Sequence, residues 1–298
     1  MENQSGTPGG VTDTVRGRVA SRDGTPIAYE RRGEGPPVVL VGGALSTARS
    51  EAPLAGLLAG GARRAGDGEH GEYGAYGGHG ERTGHPGFRV YTYDRRGRGA
   101  SGDAPGYAVA REVEDLAAVL GAAGPGAHLH GDSSGGALAL EAAAAGLPIG
   151  RLSVYEPPYG TDPADRAPFA RVAGRLTGLL AEGRREEALA FFLGASMPAA
   201  ELDRLRSSPA WRGLTALAPT LRYDHEVLGE GLVPGGRLGA VTARAMVVDG
   251  GSSPAWLRTA ARAVSRALPR GRHRTLTGQT RTPAPQVLAP VLAEFYRA

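Results

Sequence analysis

Short apolar runs closed by glycine or proline alternate along this chain with stretches of helical period. Residues 15–20 and 27–30 read as two strands joined by Asp23-Gly24-Thr25-Pro26, a hairpin signal. Residues 37–41 are almost wholly apolar and end in Gly42-Gly43, as a buried parallel strand does. The pattern then predicts a helix over 48–58, a strand over 88–93, a helix over 107–120 and a strand over 127–130. An Ala/Leu-rich helix over 136–145 and a strand over 152–155 follow. Residues 162–238 are mostly helical by pattern, with helices at 164–181, 185–193 and 200–205 between proline breaks. Strand returns at 243–248, and Ser253-Pro254 opens a helix to 268 by N-cap and first-turn proline. The last strand is 273–276 and the last helix 284–296.

This order predicts an α/β fold with a mostly parallel, doubly wound sheet and helices on both faces. The core spans 15–160 and 239–298, and 161–238 forms a helical cap. Such a cap sits as a lid above the carboxyl ends of the strands, where sheets of this kind bind ligands. Residues 1–14 read as a disordered lead-in. Residues 60–87, packed with Gly, His, Glu and Tyr and lacking periodicity, read as a surface insertion.

Composition narrows the function classes. The chain has 298 residues and no cysteine, which excludes disulfides, a thiolate nucleophile and a Cys-based zinc site. All 34 Lys+Arg residues are arginine, as the codon bias of a GC-rich genome would give. The net charge of +4 is mild and the basic residues are scattered among acids, which argues against nucleic-acid binding. No apolar run approaches the ~20 residues that span a bilayer. The polar start of the chain lacks an apolar signal region, so a cytoplasmic protein without membrane contact is expected. No nucleotide, flavin or metal motif occurs, so no cofactor and no metal are expected. The expected partner is a small-molecule substrate, and oligomeric state stays open.

The chemistry centres on Gly131-Asp132-Ser133-Ser134-Gly135-Gly136. A predicted strand precedes it and a helix follows, the context that makes a G-x-S-x-G match a nucleophile elbow. Small residues at both ends let the backbone turn tightly and hold Ser133 strained with its hydroxyl exposed.

Several short segments, in order, resemble the α/β-hydrolase superfamily. They are Val41-Gly42-Gly43-Ala44-Leu45, Tyr93-Asp94-Arg95-Arg96-Gly97-Arg98-Gly99, the elbow, Tyr155-Glu156-Pro157-Pro158, Ser253-Pro254-Ala255-Trp256 and Gly278-Gln279-Thr280. The resemblance runs from about Val15 to Ala298 and points to an actinobacterial group related to cap-bearing esterases, peroxidases and epoxide hydrolases. It implies Ser133 as nucleophile, with the backbone N–H groups of Ala44 and Ser134 as oxyanion donors. It also implies a histidine just after Gly278-Gln279-Thr280, where this chain has Arg281. A guanidinium keeps its proton at any accessible pH and cannot serve as general base.

Among the other histidines, His225 in the cap is the best substitute, because lid residues overhang the nucleophile. His128 and His130 precede the elbow and pack under it, and His273 begins a strand near the opposite end of the sheet. His70, His79 and His85 fall in the insertion. Serine stands at the expected acid position of Asp249-Gly250-Gly251-Ser252-Ser253-Pro254, so Glu156 is the leading triad acid and Asp249 its alternative. Either carboxylate could instead pair with Arg281. Asp132 is expected to face away from the pocket, and the Asp94–Gly99 loop to be structural.

Three readings follow. The first is a non-hydrolytic or altered enzyme of specialised metabolism (lyase, epimerase or cyclase) in which Arg281 binds an anionic or carbonyl group. The second is an ester, amide or lactone hydrolase with a relocated base. The third is a non-catalytic ligand-binding protein.

Overall fold

Val38, Val39, Leu40 and Val41 are almost without solvent exposure, because a strand inside a parallel sheet is covered on both faces. They form β3 (Pro37–Val41) in a computed structural model that describes residues 14–60 and 87–298. Except for residues 14, 60 and 87, the expected lead-in and the insertion, with its histidines His70, His79 and His85, lie outside the described residues. Around β3 the chain forms β1 (Val15–Ala20), β2 (Pro26–Arg32), α1 (Ala52–Gly60), β4 (Arg89–Tyr93), α2 (Val109–Ala123), β5 (His128–Asp132), α3 (Ser134–Ala144) and β6 (Arg151–Tyr155). The inserted helices come next: α4 (Arg166–Ala181), α5 (Arg185–Gly194), α6 (Ala199–Arg206), α7 (Ala210–Leu217), α8 (Leu221–Leu228) and the short α9 (Gly235–Leu238). The chain closes with β7 (Arg244–Gly250), α10 (Ala255–Ala267), β8 (Gly271–Leu276) and α11 (Pro285–Arg297).

The eight strands form one sheet in the order β1-β2-β4-β3-β5-β6-β7-β8. Only β1–β2 and β2–β4 pair antiparallel; every other neighbour is parallel. Because side chains alternate along a strand, Val39, Val41, Leu129, Val154 and Val247 face one way, with Leu116 of α2, Leu138 of α3 and Val264 of α10. Val38, Leu40, Val90, Met246 and Val248 face the other, with Leu58 of α1 and Leu292 of α11. The inserted helices have a core of their own around Leu176, Leu189, Trp211 and Leu221, and Ala44 and Leu45 after β3 pack against it.

Most boundaries shift from the sequence reading by a few residues, and three of the differences bear on the site or its supports. The helix expected from 48 begins at 52, because the Ala48 N–H donates to Asp94 Oδ1 at 2.7 Å and the Thr47 N–H to Ser50 Oγ at 3.1 Å, which spends these residues on turns. Pro254, not Ser253, occupies the N-cap of α10, and the Ser253 hydroxyl is buried without a partner. β8 starts at Gly271, so His273 lies within the strand. This edge strand exposes Arg272, His273 and Arg274, so it offers no apolar run to read.

The loop after β4 binds these layers through buried arginines. Asp94 caps it by accepting from the Ala48 and Ala100 N–H groups, both at 2.7 Å. Arg95 grips Glu112 of α2 with two bonds (2.6 and 2.7 Å), and Arg96 grips Asp115 with two at 2.7 Å. Arg95 and Arg98 both reach Asp224 of α8, at 2.7 and 2.9 Å. Burial pushes the Asp224 carboxyl upward, but Arg98 and Arg95 outweigh it and hold the group below the usual carboxylate range.

Removing one partner of such a cluster strands the others in a dry interior. Asp224→Ala is therefore expected to lower stability by about 3–5 kcal/mol in urea denaturation. A loss within ~1 kcal/mol, the range of exposed pairs, would mean that the cluster is solvated in solution.

Candidate functional site

Ser133 follows β5 with φ 52° and ψ −121°, a left-handed conformation that L-residues adopt only under constraint. Its N–H donates to the Tyr155 carbonyl at 2.8 Å, which anchors the turn to β6. A β-carbon at Gly131 would strike the Gly135 carbonyl and come within 2.6 Å of Gly136 Cα; one at Gly135 would strike the Val41 carbonyl. The elbow therefore closes only with glycine at both positions.

Three non-glycine residues among those described have positive φ: Leu45 (61°), Ser133 (52°) and Glu156 (43°). All three line one cavity of about 630 Å³ at the carboxyl ends of the strands. Each conformation costs of order 1–3 kcal/mol, and such outliers concentrate where a site over-determines the backbone. The wall also includes Asp132, Thr280, Arg281 and Thr282, with Phe192, Leu193 and Glu201 contributed by the inserted helices.

Two backbone donors flank Ser133. Ser134 is the first residue of α3, so its N–H has no helical acceptor. The Ala44 N–H has no acceptor among the described residues. Arg98 Nη1 donates to the Gly43 carbonyl at 2.6 Å. In a trans peptide the C=O and the next N–H point in opposite directions, so this bond turns the Ala44 N–H away from Arg98. The Ser134 hydroxyl donates to Asp224 Oδ1 at 2.7 Å, tying the other donor to the same buried cluster.

The charged groups are arranged differently from the sequence reading. Arg281 lines the cavity, exposed, and makes no hydrogen bond or ion pair with any described residue. The anticipated pairing with Glu156 or Asp249 is absent among the described residues. Glu156 lines the cavity wall, but its Oε1 accepts from the Gly250 N–H at 2.7 Å and its Oε2 is buried without a partner. Asp249 does not reach the cavity. It is fully buried, and its Oδ2 bonds His273 Nε2 at 2.7 Å. Pairing of Val247 with His273 sets that histidine on the face of the sheet that Asp249 shares, one step away.

His225 does not overhang Ser133. Its Nδ1 lies 3.1 Å from the Leu221 carbonyl and its ring 5.3 Å from that of Phe169. His128 stacks on Tyr296, with ring centroids 4.7 Å apart, and His130 Nδ1 bonds Ser153 Oγ at 2.8 Å. Burial lowers both to about 4, so they are neutral at pH 7. Of the four described histidines, none lines the cavity that contains Ser133.

Asp132 corrects the sequence reading in the other direction, for it faces the cavity. It also lines a second cavity of about 330 Å³ that holds Glu51 and His130. Burial holds its carboxyl well above the usual range; Glu51 and Glu156 add to this and Arg281 opposes it. Burial pushes Glu51 up to about 7. Adjacency to Ser133 was the available signal for Asp132, whereas nothing in sequence spacing marks Glu51.

The chain is 46% identical to an alpha/beta hydrolase from Sphaerobacter thermophilus DSM 20745, covering 94% of this chain and 100% of that one, with a TM-score of 0.77. The chain belongs to the α/β-hydrolase family. This hydrolase-fold chain also matches a hydrolase from Pseudomonas aeruginosa PA01 at 22% identity, over 95% and 98% of the two chains, with a TM-score of 0.69. The bottromycin epimerase BotH, in complex with bottromycin A2, matches at 22% identity over 95% and 98%, with a TM-score of 0.58. No protein-family model matches the chain, and no curated protein does.

The raised Glu51 group makes stability depend on pH. Unfolded Glu51 loses its proton near 4.5, but the folded protein keeps it to about 7. Between these values the native state binds more protons, so this contribution is full below 4.5 and is lost as pH rises through 7. Glu51→Gln is expected to match wild type at pH 4 and to exceed it at pH 8 by on the order of 3 kcal/mol in chemical denaturation.

Proposed function

We propose that this α/β-hydrolase-fold protein is a small-molecule enzyme of specialised metabolism that performs enolate-type chemistry, as a lyase, epimerase or cyclase, without an acyl-enzyme. The observation that carries this reading is the wall around Ser133: it presents Arg281 and carboxyl groups, and no described histidine. A serine hydroxyl without a neighbouring base is a weak nucleophile. Loss of the triad base lowers the rate by a factor on the order of 10⁴ or more.

Enolate formation makes smaller demands on this set of groups. It needs donors where negative charge develops on the substrate oxygen, and the Ala44 and Ser134 N–H groups supply two. It needs a proton acceptor of raised affinity, and burial raises that of Asp132 at the cavity and lifts Glu51, in the adjoining smaller cavity, to about 7. It needs the substrate held in register, and Arg281, cationic and unpaired among the described residues, suits an anionic group or a carbonyl oxygen. Glu156 stiffens the wall through the Gly250 N–H. The inserted helices close the cavity as a cap, with Phe192 and Leu193 giving it an apolar side. The bottromycin epimerase carries the same fold, so epimerisation is within its scope.

Two measurements separate this reading from serine hydrolysis. A fluorophosphonate probe is expected to leave Ser133 essentially unlabelled, and p-nitrophenyl acetate to be hydrolysed at the background rate. Arg281→His restores an imidazole and is expected to raise both rates on the order of a hundredfold or more. Rapid stoichiometric labelling and turnover by wild type would overturn the proposal in favour of a hydrolase with its base elsewhere.

A further inference from the structure

The cavity that contains Ser133 and the smaller one behind it share a wall of Ala44, Asp132 and Thr282. Asp132 is the one titratable side chain common to both. Glu51 lines only the smaller cavity. The turn between the two carboxyls is bare of side chains. A β-carbon at Gly43 would lie 3.1 Å from Ser133 Cβ and 3.6 Å from Asp132 Oδ2, and one at Gly42 would lie 3.0 Å from Glu51 Oε1. Glycine at 42 thus leaves room for the Glu51 carboxyl, while position 43 lies in ordinary contact with that of Asp132.

Neither carboxyl accepts a hydrogen bond from a described residue. The charged groups that act on Asp132 are Glu51 from the turn before α1, Glu156 at the end of β6 and Arg281 after β8. His130 also lines the smaller cavity, but it is bonded to Ser153 and neutral. Glu156 is the rival for proton transfer. One of its oxygens is taken by the Gly250 N–H and the other is sealed from solvent, so it presents no free oxygen to a substrate. Asp132 presents its carboxyl with no such tie.

Building on the enolate reading above, we propose that Asp132 is the catalytic base of this site, and that Glu51 is the positioning group with which it exchanges its proton through the smaller cavity. With its own proton passed to the Glu51 carboxylate, Asp132 faces the substrate ionised. It removes the proton from the carbon beside the substrate carbonyl: the C–H bond breaks and an O–H bond forms on Asp132. The electron pair moves into a C=C bond, and the carbonyl oxygen becomes an enolate held by the Ala44 and Ser134 N–H groups. Return of a proton to carbon regenerates the carbonyl and leaves Asp132 ionised again. Two such carboxyls bordering one cavity titrate as a coupled pair.

Carbon-13 NMR of the full chain, labelled at the Asp and Glu side-chain carboxyls, tests the pairing without a substrate. Asp132→Asn and Glu51→Gln assign the two signals. The Glu51 midpoint is expected near 7 and the Asp132 midpoint well above the ordinary carboxylate range, and Glu51→Gln is expected to lower the Asp132 midpoint by about 1 unit or more. An Asp132 midpoint in the ordinary carboxylate range overturns its role as base; a midpoint unmoved by Glu51→Gln overturns the part given to Glu51.

The second arm follows deuterium incorporation from D2O into levulinate, a keto acid with exchangeable protons beside its carbonyl. Wild type is expected to catalyse exchange, and Asp132→Asn to slow it tenfold or more, with unchanged circular dichroism as the control. Glu51→Gln is expected to displace the pH profile of exchange. Exchange that survives Asp132→Asn but fails in Glu156→Gln overturns the assignment of the base while the enolate reading stands. No exchange by wild type overturns the enolate reading itself, and with it the base.

Discussion

A single buried carboxylate, Asp224, accepts from three side chains on two separate segments of the chain: Arg95 and Arg98 of the loop after β4, and Ser134 at the start of α3. Moving these charges out of water is costly, and the cost is offset only when every hydrogen bond is made. The cluster therefore tolerates essentially one placement of α8 against the loop after β4 and the start of α3. Its reach extends to the site, because Arg98 also holds the Gly43 carbonyl. Movement of α8 would release the peptide whose N–H is the proposed oxyanion donor at Ala44. The inserted helices and the elbow are thus one mechanical unit, although 90 residues separate Ser134 from Asp224.

That rigidity explains how the chain keeps three strained residues around one cavity. Leu45, Ser133 and Glu156 each follow a parallel strand at its carboxyl end, and each has a neighbour that fixes it. The Ser133 N–H is held by Tyr155, the Glu156 N–H donates to Val248 at 3.0 Å, and Leu45 packs against the core of the inserted helices. Strain on this scale persists only where the surroundings leave no relaxed alternative. The sheet supplies that condition at its carboxyl edge, which is where sheets of this topology bind ligands.

The sheet was legible because its inner strands are short apolar runs between glycines, and the elbow because sterics demand glycine at 131 and 135. What stayed hidden depends on register or helical phase. The bond from Asp249 to His273 exists because β7 and β8 pair in one particular register, and the exposed sequence of β8 does not announce it. The place of His225 is a matter of helical phase. Neighbours on a helix point about 100° apart, so when Asp224 takes the face toward Arg98 its neighbour is turned aside. The start of α1 was obscured likewise: Ala48 is claimed by Asp94, a residue 46 positions further on. Asp132 and Glu51 escaped because burial, not spacing, gives them their character.

Burial also bears on how a site with no imidazole among its described residues can handle protons near neutral pH. Histidine brings a suitable proton affinity with its ring, whereas a carboxyl acquires one only from its surroundings. Around Ser133 the balance of charge is uneven. Burial raises the affinity of Asp132 for its proton, Glu51 and Glu156 add to it, and Arg281 opposes them. Asp132 and Glu51 therefore retain protons at pH values where free carboxyls have lost theirs. On the proposed reading, the arginine leaves that store intact because it is exposed and binds none of the acids directly, while it remains free to meet an anionic substrate. On the same proposal, a histidine at 281 would serve the hydroxyl of Ser133, whereas the guanidinium leaves proton transfer to the neighbouring acids.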